Sequence, residues 1–233
     1  MINSKGILIL LVSFILPANI LLAQGITDMR LRANAGVAYK PTKKIELTAR
    51  YRLTTYDNAA RFLRSMFSLN VGYEVMKDWT VGAEYRYNTS YTQDFHRYFL
   101  YTRVKYDIGD FSLSYRLRYQ QDQDYFDAEY LQSNPTERVF RNRLAVKYDL
   151  NKRASCYVYA DHFTELKNKQ FSAYRTRYGA GFQYKHRKRH EVGIEFFVND
   201  EFSKKKPEDL AAIDVSYTYH LRKKNSKKAK KEQ

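Results

Sequence analysis

Cysteine is almost absent from this chain: its 233 residues include a single one, Cys156, so no internal disulfide can form. Its place in an alternating segment predicts a small apolar packing residue. Long hydrophobic runs are also scarce, and a charged fraction of 28% with a mean hydropathy of −0.66 excludes a bundle of membrane-spanning helices. A membrane β-barrel is compatible with these values, because half of every barrel strand faces a polar lumen.

Tryptophan occurs once, whereas 22 Tyr and 14 Phe are present. This aromatic content exceeds what a soluble core of this size needs. No linker divides the chain, and its length suits one large β domain. We therefore predict a single all-β domain.

The N-terminal segment has the parts of a secretory signal peptide. A charged start precedes a hydrophobic run at residues 7–15, and Ala23 is a small residue at the cleavage position. Residues 1–23 are therefore predicted to be a signal peptide, and the mature chain begins at Gln24. An uncleaved anchor helix is the alternative, but Pro17 interrupts the run, which is shorter than the ~20 residues that cross a bilayer.

The positive charge of the chain does not predict nucleic-acid binding. The formal net charge is +16, but an exported protein meets little nucleic acid, and much of the charge occurs one residue at a time along predicted strands. Residues 222–233 are lysine-rich and are predicted to form a basic disordered tail. This tail could contact anionic lipid headgroups or cell-wall polymer, or simply be solvated.

Residues 100–120 show the pattern that the rest of the chain repeats. Apolar and polar residues alternate up to Ile108. Gly109 and Asp110 then turn the chain, and the alternation resumes from Phe111. This pattern predicts a hairpin of strands about ten residues long. Strands of that length with aromatic ends also suit a tilted crossing of a bilayer.

The same alternation defines eleven strands, with short connections at one end and longer ones at the other. An antiparallel sheet that closes without a parallel seam needs an even number of strands. We therefore predict a single up-and-down antiparallel transmembrane β-barrel over residues 24–221, with 12 strands, or 10 as the alternative. The twelfth strand would come from residues 24–29 or from the long acidic connection at 121–137.

Aromatic residues recur where strands meet the short turns. Tyrosine at one level around a closed sheet forms a girdle at headgroup depth, where its ring contacts lipid and its hydroxyl contacts water. The predicted aromatic girdle consists of Tyr39, Tyr73, Trp79, Tyr106, Phe111, Tyr148, Tyr184 and Tyr219.

Charged residues share the opposite face of the strands, which we predict to be the lumen. The expected lumen charge network consists of Arg50, Arg52, Arg64, Glu84, Arg86, Arg103, Arg116, Arg118, Arg141, Arg143, Asp161, Arg175, Arg177, Glu195 and Asp214. Guanidinium groups pair bidentately with carboxylates, so one hypothesis is a salt-bridged interior that fills the barrel. The excess of arginine over acid supports a second hypothesis, an anion-attracting narrow channel.

Catalysis on lipid is an alternative function. His96 and His162 are predicted to face outward near the loop end, with Ser90 and Ser172 in nearby loops, and a serine–histidine site at the rim could act on acyl esters. No carboxylate is placed by the sequence to orient either ring, so we predict no enzymatic activity. His186 and His190 lie in a Lys/Arg-rich turn whose cations oppose metal binding, and we predict no metal site and no cofactor. A soluble exported β-sandwich is a further alternative.

Several segments resemble a known family. They are the signal end at residues 22–24, the strand Asn142–Lys152 and the motif Tyr174–Gly179. Over residues 29–221 the chain is similar to uncharacterised outer-membrane β-barrel proteins of Gram-negative bacteria, classed as a domain of unknown function. The resemblance implies a barrel in the cell outer membrane, and it implies no substrate.

The last predicted strand resembles the signal that membrane barrels present to the barrel-assembly machinery. Such barrels commonly finish on an aromatic residue, and here Tyr217 and Tyr219 precede Leu221. The basic tail after them departs from the pattern. The expected partners are therefore outer-membrane lipid and the barrel-assembly machinery, with no nucleic acid and an undetermined oligomeric state.

Overall fold

Eleven β-strands make up the fold of this computed structural model, which describes residues 26–91, 94–123, 138–167, 169–187, 189–202 and 210–221. The strands are β1 Asp28–Tyr39, β2 Ile45–Tyr56, β3 Arg61–Met76, β4 Trp79–Thr89, β5 Asp94–Ile108, β6 Phe111–Gln123, β7 Arg138–Asp149, β8 Ala154–Lys167, β9 Gln170–His186, β10 His190–Glu201 and β11 Leu210–Leu221. No helix in these ranges is long and apolar enough to span a membrane. The predicted signal peptide and tail lie outside the described residues.

The strands form one closed barrel in chain order. Each consecutive pair is antiparallel, and β1 closes the sheet by pairing in parallel with β11, from Asp28 opposite Leu210 to Tyr39 opposite Leu221. The prediction of 12 strands, or 10, is therefore wrong, although the eleven strands found by alternation are all present. An odd number closes because the first and last strands run in the same direction and still exchange hydrogen bonds along their whole length.

The connections distinguish two ends of the barrel. At the turn end they comprise residues 40–44, 77–78, 109–110, 150–153 and 187–189, and at the loop end 57–60, 90–93, 124–137, 168–169 and 202–209. β8 and β9 continue to within two residues of each other, so only residues 168–169 connect them. Gln123 still belongs to β6, so the predicted long connection begins later, and its remainder lies outside the described residues.

The two faces of the sheet have opposite chemistry. Large apolar side chains point outward and are exposed, among them Leu69 at 49%, Leu100 at 61% and Tyr106 at 65%. The inner face carries most of the charged side chains. A soluble β-sandwich is excluded, because there is one closed sheet with its apolar face outside. Apolar exposure on this scale marks a surface that contacts another apolar phase.

Cysteine pairs across β1 and β11 test the parallel seam. Ala33 and Val215 face each other in register, and neighbouring strands about 4.8 Å apart suit a disulfide. In a Cys156→Ala background, we expect the pair Ala33→Cys and Val215→Cys to crosslink under mild oxidation, as seen by gel mobility of the unfolded chain. Ala33→Cys combined with Tyr219→Cys is the offset control and should not crosslink. Absence of the first crosslink would contradict the seam.

Candidate functional site: an arginine-lined lumen

The barrel encloses one cavity of about 850 Å³ to which all eleven strands contribute. It extends from Lys40 and Lys43 at the turn end to Tyr174 and Glu201 near the loop end. Among the residues that the structure describes, its wall carries fourteen arginines and nine carboxylates. The interior is therefore polar, continuous and richer in positive than in negative charge.

The predicted charge network lies on this wall. Fourteen of its fifteen residues line the cavity, and Asp161 is buried behind two of them, with no exposed surface. The prediction missed Arg97 and Asp122, which pair bidentately, with an Arg97 Nε to Asp122 Oδ1 distance of 2.7 Å. The in-and-out alternation of β5 and β6 extends to both residues, and this was the signal that could have found them.

Asp161 binds two arginines from the neighbouring strand β7. Arg143 donates from Nε to Oδ1 at 2.7 Å and from Nη2 to Oδ2 at 2.8 Å, and Arg141 Nη2 donates to Oδ2 at 2.5 Å. The Arg143 guanidinium also lies 3.6 Å from the ring centroid of Tyr159. Both carboxylate oxygens are thus engaged, which is how a buried charge is compensated.

Glu84 on β4 forms a second cluster in which one carboxylate pairs with two arginines. It accepts from Arg86 Nε at 2.6 Å, and Arg118 Nη2 lies 3.3 Å from its second oxygen. Both guanidinium groups lie over the Phe99 ring, 4.4 and 4.7 Å from its centroid. Stacking on the ring restricts the two arginines and adds a cation–π attraction.

Glycines make room for tyrosines that lie across the inner wall. A Cβ at Gly179 or Gly181 would fall 2.4 Å from the ring of Tyr159 or Tyr157, respectively. The hydroxyls of Tyr157 and Tyr159 each donate to Glu195 at 2.7 Å. The absence of a side chain at these two positions therefore makes space for the tyrosine rings.

Some lumen arginines have no carboxylate partner. Within the described part of the chain, no carboxylate oxygen lies within 4 Å of six of them. Arg177 donates instead to Asn199 Oδ1 at 2.6 Å. The six are Arg32, Arg50, Arg64, Arg103, Arg116 and Arg177. Their positive charge is therefore available to a mobile anion.

Five arginines concentrate on three adjacent strands and form what we call the β5–β7 arginine patch: Arg103, Arg116, Arg118, Arg141 and Arg143. Arg116 is the cross-strand partner of both Arg103 and Arg143, and Arg118 faces Arg141. Glu84 on β4 and Asp161 on β8 flank the patch. The patch brings five positive charges together on one part of the inner wall.

The predicted girdle residues occupy the outer face at the turn end. Trp79 and Phe111 begin their strands, Tyr39 ends β1, and the rings of Phe111 and Tyr148 are 4.7 Å apart. A second aromatic band near the loop end was not predicted. It comprises Tyr85, Tyr98, Tyr119, Phe140 and Phe171, whose neighbouring rings pair at 5.3–5.6 Å in the three recorded contacts.

The candidate histidines have different surroundings. Tyr85 Oη and His96 Nδ1 are 2.7 Å apart, and the nearby Tyr87 hydroxyl donates to Asp94 at 2.6 Å. His162 is exposed on the outer face opposite Asn142. A phenol thus occupies the ring nitrogen of His96 that a triad carboxylate would orient.

Comparison with known proteins assigns the chain to a family. Residues 29–209 match the family model described as Protein of unknown function (DUF2490), so the chain belongs to that family, as the sequence resemblance predicted. No curated protein sequence matches it.

Solved structures share the barrel fold. The NanC porin aligns with a TM-score of 0.50 at 16% identity, covering 82% of this chain and 95% of that one. The COG4313 outer membrane channel from Pseudomonas putida F1 aligns at 0.52 and 10% identity, covering 77% and 79%. OmpTdeltaL8 of Vibrio cholerae aligns at 0.41 and 15% identity, covering 71% of this chain, which spans 56% of that protein.

Replacing Asp161 by asparagine tests the buried cluster. The change leaves two guanidinium groups without their anion, so we expect unfolding in detergent and urea to become easier by about 3 kcal/mol. Asp149→Asn is the matched control, because Asp149 pairs with Lys147 at the surface and 46% of its side chain is exposed; its cost should stay below about 1 kcal/mol. Equal small effects would contradict a stabilising cluster.

Proposed function

We propose that this protein is an outer-membrane β-barrel that forms a narrow, anion-favouring channel. The observation that carries the proposal is the continuous lumen, which reaches both ends of the barrel and whose wall holds fourteen arginines against nine carboxylates. The fold similarity to outer-membrane barrels supports the membrane assignment, and it carries no substrate with it.

The outer surface supports insertion in a bilayer. The two aromatic bands lie near opposite ends of the strands, with exposed apolar residues such as Leu69 and Leu113 between them. Aromatic belts with an apolar zone between them are the arrangement found where a barrel crosses a membrane. Outer-membrane lipid and the barrel-assembly machinery are the partners that this location implies.

The dimensions of the lumen favour small solutes. A twelve-residue strand tilted by about 40° spans roughly 30 Å along the barrel axis. The 850 Å³ cavity is distributed over that height, so the passage is narrow. Such a passage suits small ions with part of their hydration shell and excludes bulky solutes.

Arginines without a carboxylate partner supply the selectivity. Arg50, Arg103 and Arg116 each lie five residues from the turn-end terminus of their strands, while Arg32 and Arg64 lie within four residues of the loop-end terminus of theirs. Positive groups at both levels attract anions along the axis and oppose cations.

A structural scaffold is the second candidate function. The clusters around Asp161 and Glu84 fill part of the interior with ion pairs and stacked rings. Such a network rigidifies a barrel without requiring transport. Conductance separates the two candidates.

Planar-bilayer recording tests the channel. We expect steady current and a reversal potential that shows preference for chloride over potassium. Arg50→Gln combined with Arg64→Gln should reduce this preference, because two lumen charges without a carboxylate partner are removed. Arg153→Gln, an exposed residue in the β7–β8 turn, is the control with the same chemical change. Wild-type protein without conductance, or with cation preference, would overturn the channel.

Fractionation and activity assays test the remaining parts of the proposal. We expect the full chain in the outer-membrane fraction, with faster gel migration when unheated, as folded barrels show.

We also propose that the protein is not an enzyme. Purified barrel should therefore not hydrolyse phospholipid or lipid A. Hydrolysis that is lost on His96→Ala or His162→Ala would establish a lipid-acting enzyme instead.

A further inference from the structure

The β5–β7 arginine patch places like charges directly opposite one another. Arg116 faces Arg103 on one neighbouring strand and Arg143 on the other. Directly opposed residues in an antiparallel sheet have Cβ atoms about 5 Å apart, and like charges at such positions are destabilising. Nothing in the strand pairing requires arginine at these positions.

The flanking carboxylates do not neutralise the centre of the patch. Asp161 uses both oxygens on Arg141 and Arg143, and Glu84 pairs with Arg86 and Arg118. Among the residues that the structure describes, Arg103 and Arg116 have no carboxylate within 4 Å. Arg103 and Arg116 are therefore left without an ion-pair partner, and each flanking cluster, with two arginines on one carboxylate, is itself net positive.

Donor groups beside these two arginines also lack acceptors. The Nε atoms of Arg118 and Arg141 are buried and have no hydrogen-bond partner in the described part of the chain. Their side chains are only 7% and 12% exposed. Buried N–H groups without an acceptor are costly and uncommon in folded proteins. The patch thus combines excess charge with unused donors.

We propose that the β5–β7 arginine patch is a binding site for a phosphate-class dianion, either inorganic phosphate or a phosphomonoester. A ligand with two negative charges can pair with both Arg103 and Arg116, the two arginines of the patch that have no carboxylate partner. Phosphate oxygens also accept paired hydrogen bonds from guanidinium forks. The inference rests on the proposed anion channel, because the ligand reaches the patch through the lumen.

Thermal unfolding of the detergent-folded full chain measures binding without requiring conduction. Inorganic phosphate should raise the melting temperature in a saturable manner, since a ligand bound only to the folded state stabilises it. Chloride and acetate at equal ionic strength should produce little shift. The phosphate effect should weaken on going from about pH 8 to about pH 5, where phosphate loses one negative charge. Glycerol phosphate, titrated separately, distinguishes a monoester from the free ion.

Variants locate the site. Arg103→Gln combined with Arg116→Gln should raise the phosphate dissociation constant by at least about tenfold, because several charge-assisted hydrogen bonds are lost. Arg61→Gln with Arg153→Gln removes the same charge at exposed positions outside the lumen and should change the constant by less than about threefold. Without phosphate, the patch variant should be at least as stable as wild type, because opposed like charges are removed.

The conservative double variant Arg103→Lys and Arg116→Lys keeps the positive charges. It removes the guanidinium groups that can donate two parallel hydrogen bonds to one ligand. Phosphate affinity between those of wild type and the glutamine variant would support bidentate recognition. Affinity equal in wild type and the glutamine variant, or the same stabilisation by chloride, would overturn the site. Phosphate binding by a barrel that carries no current would refute the channel and leave the site standing. Selective current without phosphate binding would refute the site and leave the channel standing.

Discussion

A sheet that crosses a membrane must pair every backbone N–H and C=O group within itself, because the hydrocarbon offers no alternative partner. In this chain β1 and β11 complete the pairing of the sheet, because they join in parallel from end to end. Closure separates an apolar outside from an enclosed interior, and both the lumen chemistry and the outer aromatic bands depend on that separation. Bacterial single-chain barrels usually have even strand numbers, so the parallel seam is the most distinctive feature of the fold.

Once the sheet is closed, the inner face must hold charges in a confined space. Asp161 and Glu84 each gather two arginines, and aromatic rings such as Phe99 hold guanidinium groups in place. These clusters use carboxylates on β4 and β8 and leave Arg103 and Arg116 between them uncompensated. The same arrangement thus accounts for the rigidity of the wall and for the excess positive charge on which the proposed anion channel depends.

Alternation in the sequence was sufficient to find eleven strands and the orientation of their side chains, because a period of two is a local property of each strand. Parity gives the face on which a residue lies, but not its partner on the next strand. That Arg116 lies opposite Arg143 could therefore be stated only once the register was known. The parallel seam could not be predicted, since pairing of Asp28 with Leu210 joins residues from opposite ends of the chain and leaves no local pattern. Asp122 was missed because it falls within the predicted connection at 121–137, and Arg97 because it precedes the stretch from residue 100 in which alternation was recognised.

Orientation of the side chains on a single strand is the most direct test of the account. In a Cys156→Ala background, cysteines placed one at a time from Phe111 to Gln120 and fluorescently labelled should alternate in their response to brominated lipid. Labels at positions 111, 113, 115, 117 and 119 should be quenched, and cysteines at positions 112, 114, 116, 118 and 120 should react with water-soluble thiol reagents through the lumen. The opposite parity, or no alternation, would contradict an apolar exterior around an arginine-lined interior.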